Sequence, residues 1–324
     1  MSARWTWHGG GLEAARRHFG AGDWIDLSTG INPHPWPGAA NMVFDWQRLP
    51  EPEALTRLEA TAAAFFGVDP RHVCAVPGSE IGLRLTGALV SRPARHFAPS
   101  YRTHGEMIAN CAPIEPEAAR GHDGTLILAN PNNPDGRVTG GAAMRALLNR
   151  RGTDDWLLVD EAFADVDPGA SVATLVDDDA KLIVFRSFGK FFGLAGVRLG
   201  FVIAPQTVVA ALRERLGAWP LSAAAIAIGT AAYADRNWIA ATRARRRADA
   251  AALDALLVRQ GYRPVGECPL FRLIEVDDAQ ALFERLARRA ILTRPFADQP
   301  RWLRIGLPAN ADARARLEAA LTDG

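Results

Sequence analysis

The chain of 324 residues has lysine only at positions 181 and 190, although lysine and arginine together number 37. Arginine can serve wherever a fixed positive charge is enough, but a guanidinium stays protonated and forms no imine. A lysine kept against that background is a candidate amine nucleophile. Lys190 lies in Ser187-Phe-Gly-Lys190-Phe-Phe-Gly-Leu-Ala-Gly-Val-Arg198-Leu-Gly200, with a hydroxyl three residues before the amine and an arginine eight after it. The amine can form an imine with a carbonyl compound while Ser187 and Arg198 bind the oxygens of one phosphate ester. The interspersed glycines permit tight backbone turns around such a ligand. Lys181 follows Asp177–Ala180 and reads as a surface residue before a strand.

The competing reading is a Gly-rich loop with incidental charges, and two upstream segments weigh against it. In Leu158-Val-Asp160-Glu161-Ala162-Phe163, a carboxylate ends an apolar run. Placed under a heterocycle, it would keep a ring nitrogen protonated and make the ring an electron sink. In Asn130-Pro-Asn-Asn133-Pro134-Asp135-Gly136, the prolines impose an extended turn whose asparagines can donate to a phenolate oxygen.

Positioning these groups requires strands whose C-terminal ends lie side by side. Short apolar runs at Val73–Val76, Thr125–Ala129, Leu157–Val159, Leu182–Phe185 and Gly200–Ala204 read as strands. Helical patterns such as Ile81–Val90 and Ala142–Arg150 separate them. This alternation predicts an α/β protein with a mostly parallel sheet covered on both faces, binding ligand at the strand C-termini. A long helix is expected from Arg236 to Gln260, then strand Phe271–Val276, helix Ala279–Arg289, strand Leu303–Leu307 and helix Asp312–Leu321. The expected division is an arm over 1–28, a large domain over 29–235 and a smaller α+β domain over 236–324. The cluster Arg243, Arg245, Arg246 and Arg247 reads as a solvated helix face rather than an anion site.

The order and spacing of these segments resemble the fold-type-I pyridoxal-phosphate (PLP) enzymes, of aspartate-aminotransferase-like fold. The similar branch holds histidinol-phosphate aminotransferases and L-threonine-O-3-phosphate decarboxylases. The resemblance runs from about His8 to the C-terminal helix. It implies that Lys190 carries PLP as a Schiff base, that Asp160 pairs with the pyridinium nitrogen and that Asn133 bonds the ring's phenolic oxygen. It further implies that Ser187 and Arg198 hold the cofactor phosphate with Gly78, Ser79 and Glu80, and that Tyr101 stacks on the ring. The N-terminus of a helix at 78–80 suits an anion in its own right. Arg304, in Trp302-Leu-Arg304-Ile-Gly, matches the arginine that binds the substrate carboxylate.

His8-Gly9-Gly10 and Leu27-Ser-Thr-Gly-Ile-Asn32-Pro33 are similar to the opening of the threonine-phosphate decarboxylases of cobalamin biosynthesis. There the arm folds over the substrate phosphate, and Arg294 in Leu292-Thr-Arg294-Pro matches a second substrate arginine. Phe163 stands where aminotransferases of the branch carry a tyrosine, and Leu49 where many relatives place a tyrosine reaching the partner subunit. Asp135 replaces the usual threonine of Asn-Pro-Thr-Gly. The resemblance therefore implies decarboxylation of L-threonine O-3-phosphate, with histidinol-phosphate-type transamination as the alternative and a PLP-binding regulatory module as a remote third. It also implies a homodimer.

Bulk properties exclude other classes. Basic and acidic residues nearly balance, 37 against 36, so no field is available for nucleic acid or an anionic membrane. Residues 1–11 lack the apolar core of a secretion signal, and the apolar run Leu221–Ala234 is shorter than the roughly 20 residues that span a bilayer. Scattered Cys74, Cys111 and Cys268 suit reduced thiols in a cytoplasmic protein and provide no metal-ligand cluster.

Overall fold

The computed structural model describes residues 3–90 and 93–322. The chain forms two compact units, one of Pro35–Asn133 with Val138–Ala241, the other of Met1–His34, Pro134–Arg137 and Thr242–Gly324.

In the first, larger unit, seven strands make one sheet among the described residues. They are β1 (Val73–Val76), β2 (Ala94–Phe97), β3 (Ala112–Ile114), β4 (Thr125–Ala129), β5 (Leu157–Asp160), β6 (Leu182–Ser187) and β7 (Gly200–Ile203). Their spatial order is β1-β7-β6-β5-β4-β2-β3. All neighbours are parallel except β7, which runs antiparallel to both β1 and β6. The central strands are almost wholly buried, as their unbroken apolar sequences require when helices cover both faces. The covering helices include α1 (Pro52–Phe66), α2 (Ser79–Leu89), α3 (Gln206–Leu216) and α4 (Ala223–Ala234). The apolar run ending at Ala234 thus folds as a surface-covering helix. No helix among the described residues is long and apolar enough to cross a membrane.

Beyond β6, an aromatic cluster anchors the turn that carries Lys190. Phe188 and Phe192 stack at 4.6 Å between centroids, and Tyr233 meets both ring edges at 5.6 and 4.9 Å. Phe191 packs on Phe192 and Trp238. Fully burying each such ring stabilises by roughly 1.5–3 kcal/mol. The phenylalanines flanking Lys190 therefore fix its backbone. Beneath the same strand ends lies a buried ion network. Arg186 pairs with Glu161 at 2.5 Å and with Asp165, and Ser171 donates to Glu161 at 2.6 Å. Because residues alternate across a strand, Asp160 and Ser187 lie on the other face from Glu161 and Arg186.

The second unit contains an antiparallel sheet of β8 (Pro264–Val265), β9 (Phe271–Glu275), β10 (Arg294–Pro295) and β11 (Trp302–Gly306), in the order β10-β11-β9-β8. Helix α5 (Arg236–Arg259) continues into this unit, and α6 (Ala279–Arg288) and α7 (Ala311–Thr322) complete it. Ile25–Asp26 pairs in parallel with Ile291–Leu292, tying the N-terminal segment to the C-terminal one. Residues 134–137 cluster here because Gly136 O accepts from the backbone N–H groups of Glu267 and Cys268.

One expectation is corrected. The arginine cluster is not uniformly a solvated face: Arg245 and Arg247 are exposed, but Arg246 is 0% exposed. It belongs to the stripe Thr242, Arg246, Ala250, Leu253 and Leu257, all buried, that recurs at helical spacing along α5.

Candidate active site

The parallel strands β4, β5 and β6 end together, which is where an open α/β sheet offers a ligand site. Ala129, Asp160 and Phe185 are successive register partners, and Ser187 pairs with Gly200. Sequence-predicted Asp160 and Ser187 are thus the last residues of adjacent strands. Lys190 follows on the one-turn helix Phe188–Phe191. Its Nζ lies 5.6 Å from the centroid of Phe163, a ring without a hydroxyl.

Asp160 is buried and its carboxylate is held from two sides. Oδ1 accepts from Ala162 N–H at 3.1 Å, and Oδ2 lies 3.0 Å from His104 Nε2. His104 is fully buried, and its Nδ1 has no hydrogen-bond partner among the described residues. A proton on Nε2 satisfies the carboxylate. Tyr101 sets its ring edge-on to His104, 5.8 Å away, and donates its hydroxyl to Glu80 at 3.1 Å. Burial pushes the Tyr101 phenol up to about 12, so it stays neutral. Thr103 also donates to Glu80, at 2.9 Å, and Arg84 pairs with it at 3.0 Å. The Glu80 side chain therefore braces Tyr101, while its backbone lies in the first turn of α2.

That first turn, Gly78-Ser79-Glu80, is brought to Arg198. Gly78 has φ +89°, and a Cβ there would lie 2.6 Å from Arg198 Nη2. Arg198 itself has φ 56° and is exposed. A Cβ on Gly200 would lie 2.4 Å from Ser79 N. Two glycines therefore let the N-terminus of α2, the Arg198 guanidinium and the end of β6 bearing Ser187 approach one another closely. A single anion fits those donors. Asn133 is half-buried in the turn after β4, whose neighbouring Asn132 donates to Pro99 O at 3.0 Å.

In the other unit, Arg294 and Arg304 face each other as register partners across β10 and β11. Directly opposed residues hold their Cβ atoms about 4.5–5.5 Å apart, and like charges there are destabilising. Arg304 is buried, stacks 4.9 Å over Phe271 and donates Nη2 to Ser28 O at 2.8 Å. Burial first, and Arg294 second, push its guanidinium well below its ordinary value. Arg294 is half-buried over Phe296 at 4.9 Å, and its Nη2 reaches Trp7 O at 3.4 Å. The arm containing exposed His8 closes on Ser28 and Thr29. A Cβ on Gly9 would meet Ser28 O at 2.4 Å, so Gly9 serves this close approach. Gly10 N–H donates to Ser28 Oγ at 2.7 Å and is committed to that bond. Asn32 is buried, and its Oδ1 accepts from His34 N–H at 3.0 Å and from Arg246 Nη1 at 2.8 Å.

The sequence reading missed His104 and Arg246. His104 gave no signal beyond standing three residues after Tyr101. Arg246 had one, its place on the apolar stripe of α5.

Residues 111–321 match the family model for aminotransferase class I and II. The chain belongs to the class I and II aminotransferase family. Within that family it is similar to a threonine-phosphate decarboxylase of Sinorhizobium sp., 40% identical with 97% of each chain covered. It is 41% identical to a threonine-phosphate decarboxylase of Pseudomonas aeruginosa, over 97% of this chain and 96% of that one. Among solved structures, the histidinol-phosphate aminotransferase of Sinorhizobium meliloti in complex with pyridoxal-5′-phosphate superposes with a TM-score of 0.86 at 21% identity, covering 97% of this chain and 94% of that one. The fold is accordingly that of the family's aspartate-aminotransferase-like members.

Proposed function

We propose that this protein is a PLP-dependent carboxy-lyase that converts L-threonine O-3-phosphate to CO₂ and (R)-1-aminopropan-2-yl phosphate, a step of cobalamin biosynthesis. The residues present fit the cofactor. The close approach of the α2 N-terminus, Arg198 and Ser187 that Gly78 and Gly200 permit suits its phosphate, with the backbone N–H groups of Ser79 and Glu80, the Ser187 hydroxyl and Arg198 as donors. Buried Asp160, held by His104 and Ala162 N–H, suits a protonated ring nitrogen, since an opposite charge at contact stabilises both. Asn133 would donate to the ring's phenolic oxygen, Tyr101 would lie against the ring and Lys190 would be the attachment point.

The observation that carries the substrate assignment is the facing pair Arg294 and Arg304. Two opposed guanidiniums, one buried, call for negative charge between or beside them. An amino acid bearing a phosphate supplies two anions. Arg304 binds its carboxylate, while Arg294, His8 and Asn32 bind its phosphate, and Gly9 and Gly10, packed on Ser28, fix the arm that carries His8. When bound, the cofactor supplies an electron sink for the pair left at Cα when a bond there breaks. Arg304 and Arg294, by fixing both anions, select the Cα–carboxylate bond for cleavage rather than Cα–H. CO₂ leaves, and Lys190 Nζ delivers the proton that replaces it at Cα. Phe163 offers no hydroxyl beside Lys190, so Asn133 alone serves the phenolic oxygen. The free thiols fit a cytoplasmic setting.

A charge-assisted hydrogen bond contributes roughly 1.5–3 kcal/mol, or about 10- to 150-fold in affinity. Arg294→Ala should raise KM for threonine phosphate by about that factor, with much less effect on any turnover of unphosphorylated threonine. Equal losses for both substrates would remove the phosphate assignment.

A further inference from the structure

Arg186, Glu161 and Asp165 are all but fully buried and take no part in the steps described so far. Taking ions out of water is costly, and well-packed apolar residues in place of a buried network often leave stability unchanged or raised. Stability is therefore a poor reason for keeping three charged groups here, and their bonds suggest another. Arg186 Nη1 donates to Glu161 Oε2 at 2.5 Å and to Ser171 Oγ at 3.0 Å, while its Nη2 donates to Asp165 Oδ1. Glu161 Oε1 accepts from Val172 N–H at 2.6 Å. The Phe66 ring of α1 lies 4.7 Å from the guanidinium carbon. One side chain of β6 is thus fixed to the whole segment that follows β5, from Glu161 to Val172.

Those two segments carry the two groups that must meet the cofactor. Asp160 ends β5 immediately before Glu161, and Lys190 follows Arg186 by four residues. The ladder between β5 and β6 extends to Glu161 N–H, which donates to Phe185 O at 2.8 Å. Past that point the chain after β5 turns back on itself, Ala164 N–H donating to Glu161 O at 3.1 Å, while Ser187 pairs with Gly200 of β7. Arg186 spans the two from the sheet face opposite to Asp160. We propose that Arg186 is a positioning residue: by clamping Glu161 and Asp165 it fixes Asp160 relative to Lys190, so that one cofactor can engage both at once. This rests on the functional reading above, in which Asp160 meets the ring nitrogen and Lys190 is the attachment point. A guanidinium suits the task, because its planar fork meets carboxylates in set directions where apolar contacts would let the segments slide. Two anchors met by one ligand reinforce each other only while their geometry permits both contacts.

The test is displacement of PLP from the loaded enzyme by pyridoxine 5′-phosphate, with melting temperature recorded alongside. That compound has an alcohol where PLP has its aldehyde, so it can reach Asp160 and the phosphate site but cannot link to Lys190. The concentration that removes half the absorbance of the linked cofactor gives the ratio of the two affinities. Wild type should need a large excess; displacement at equal concentrations would remove the functional reading itself. The variant Arg186→Met/Glu161→Gln/Asp165→Asn fills the same space without ions and keeps an acceptor for Val172 N–H. Its melting temperature should be unchanged or raised. It should yield its cofactor at roughly 10- to 100-fold less competitor, as misplacement of about 1 Å between two anchors implies. If wild type resists displacement and the triple variant resists as well, the clamp is overturned and the functional reading stands. A ratio that falls only in step with melting temperature overturns it equally, since that is the mark of a merely structural network. Should the triple variant fail to fold, Asp165→Asn decides, because it leaves Arg186 paired with Glu161. A smaller fall in the ratio supports the clamp, and no change overturns it.

Discussion

Gly78→Ala separates the cofactor's phosphate from the rest of the cofactor. The new Cβ would lie 2.6 Å from Arg198 Nη2 and 3.2 Å from its Cζ, so the guanidinium must leave its place. Arg198 is exposed and can swing outward, so the protein should fold. The backbone at φ 89° and ψ 148° is one that L side chains rarely adopt, costing roughly 1–3 kcal/mol. That strain is present with and without cofactor, so it lowers the melting temperature but largely cancels in binding. The binding loss is then the displaced Arg198 contact, roughly 1.5–3 kcal/mol, or about a 10- to 150-fold weaker PLP affinity. Pyridoxal, which has the ring and aldehyde but no phosphate, should bind nearly as well as to wild type. Titration of apoenzyme with each compound, followed by absorbance, reads both numbers. PLP binding within about threefold of wild type, under 0.7 kcal/mol, would refute the reasoning. So would equal weakening of PLP and pyridoxal.

Other outcomes follow from the same geometry. Asp160→Asn should retain bound cofactor and lose most turnover, because an amide cannot hold the ring nitrogen's proton by charge; near-wild-type turnover contradicts that role. His104→Phe removes one of the two bonds to Asp160 and should cut turnover less, by about 10- to 150-fold if the bond contributes as a charge-assisted one; a rate equal to wild type would make the His104 contact incidental. The exposed apolar residues Val43, Trp46, Leu49 and Trp219 suit a second copy of the chain, 95%, 74%, 61% and 56% exposed respectively. Sedimentation should therefore give a homodimer that Trp46→Asp with Trp219→Asp converts to monomer, and a monomeric wild type would contradict this.

What could be read from the sequence was what depends on neighbours along the chain. The Lys190 segment carries its amine, its glycines and the phenylalanines that anchor it within fourteen residues, 187–200. The central strands are apolar throughout because both faces are covered, so Val73–Val76 and Thr125–Ala129 emerge with the boundaries expected. Strand Ala94–Phe97 was not foreseen because Arg95 is exposed and breaks its pattern. Contacts between distant segments were equally hidden. The close packing of Gly9 against Ser28 is evident only in three dimensions. The four arginines between 243 and 247 are alike in type, and only helical phase sets Arg246 apart from its solvated neighbours. His104 reaches Asp160 across 56 residues, with no local pattern to announce it.

The central claim is the bond that breaks at Cα, and the most direct measurement is product analysis with L-threonine O-3-phosphate as sole substrate. The PLP-loaded enzyme should release one CO₂ for each aminopropyl phosphate formed, with a single solvent proton at the carbon that lost the carboxylate and no need for a keto-acid acceptor. Formation of a keto acid, or faster turnover of histidinol phosphate with 2-oxoglutarate than CO₂ release from threonine phosphate, would contradict the account.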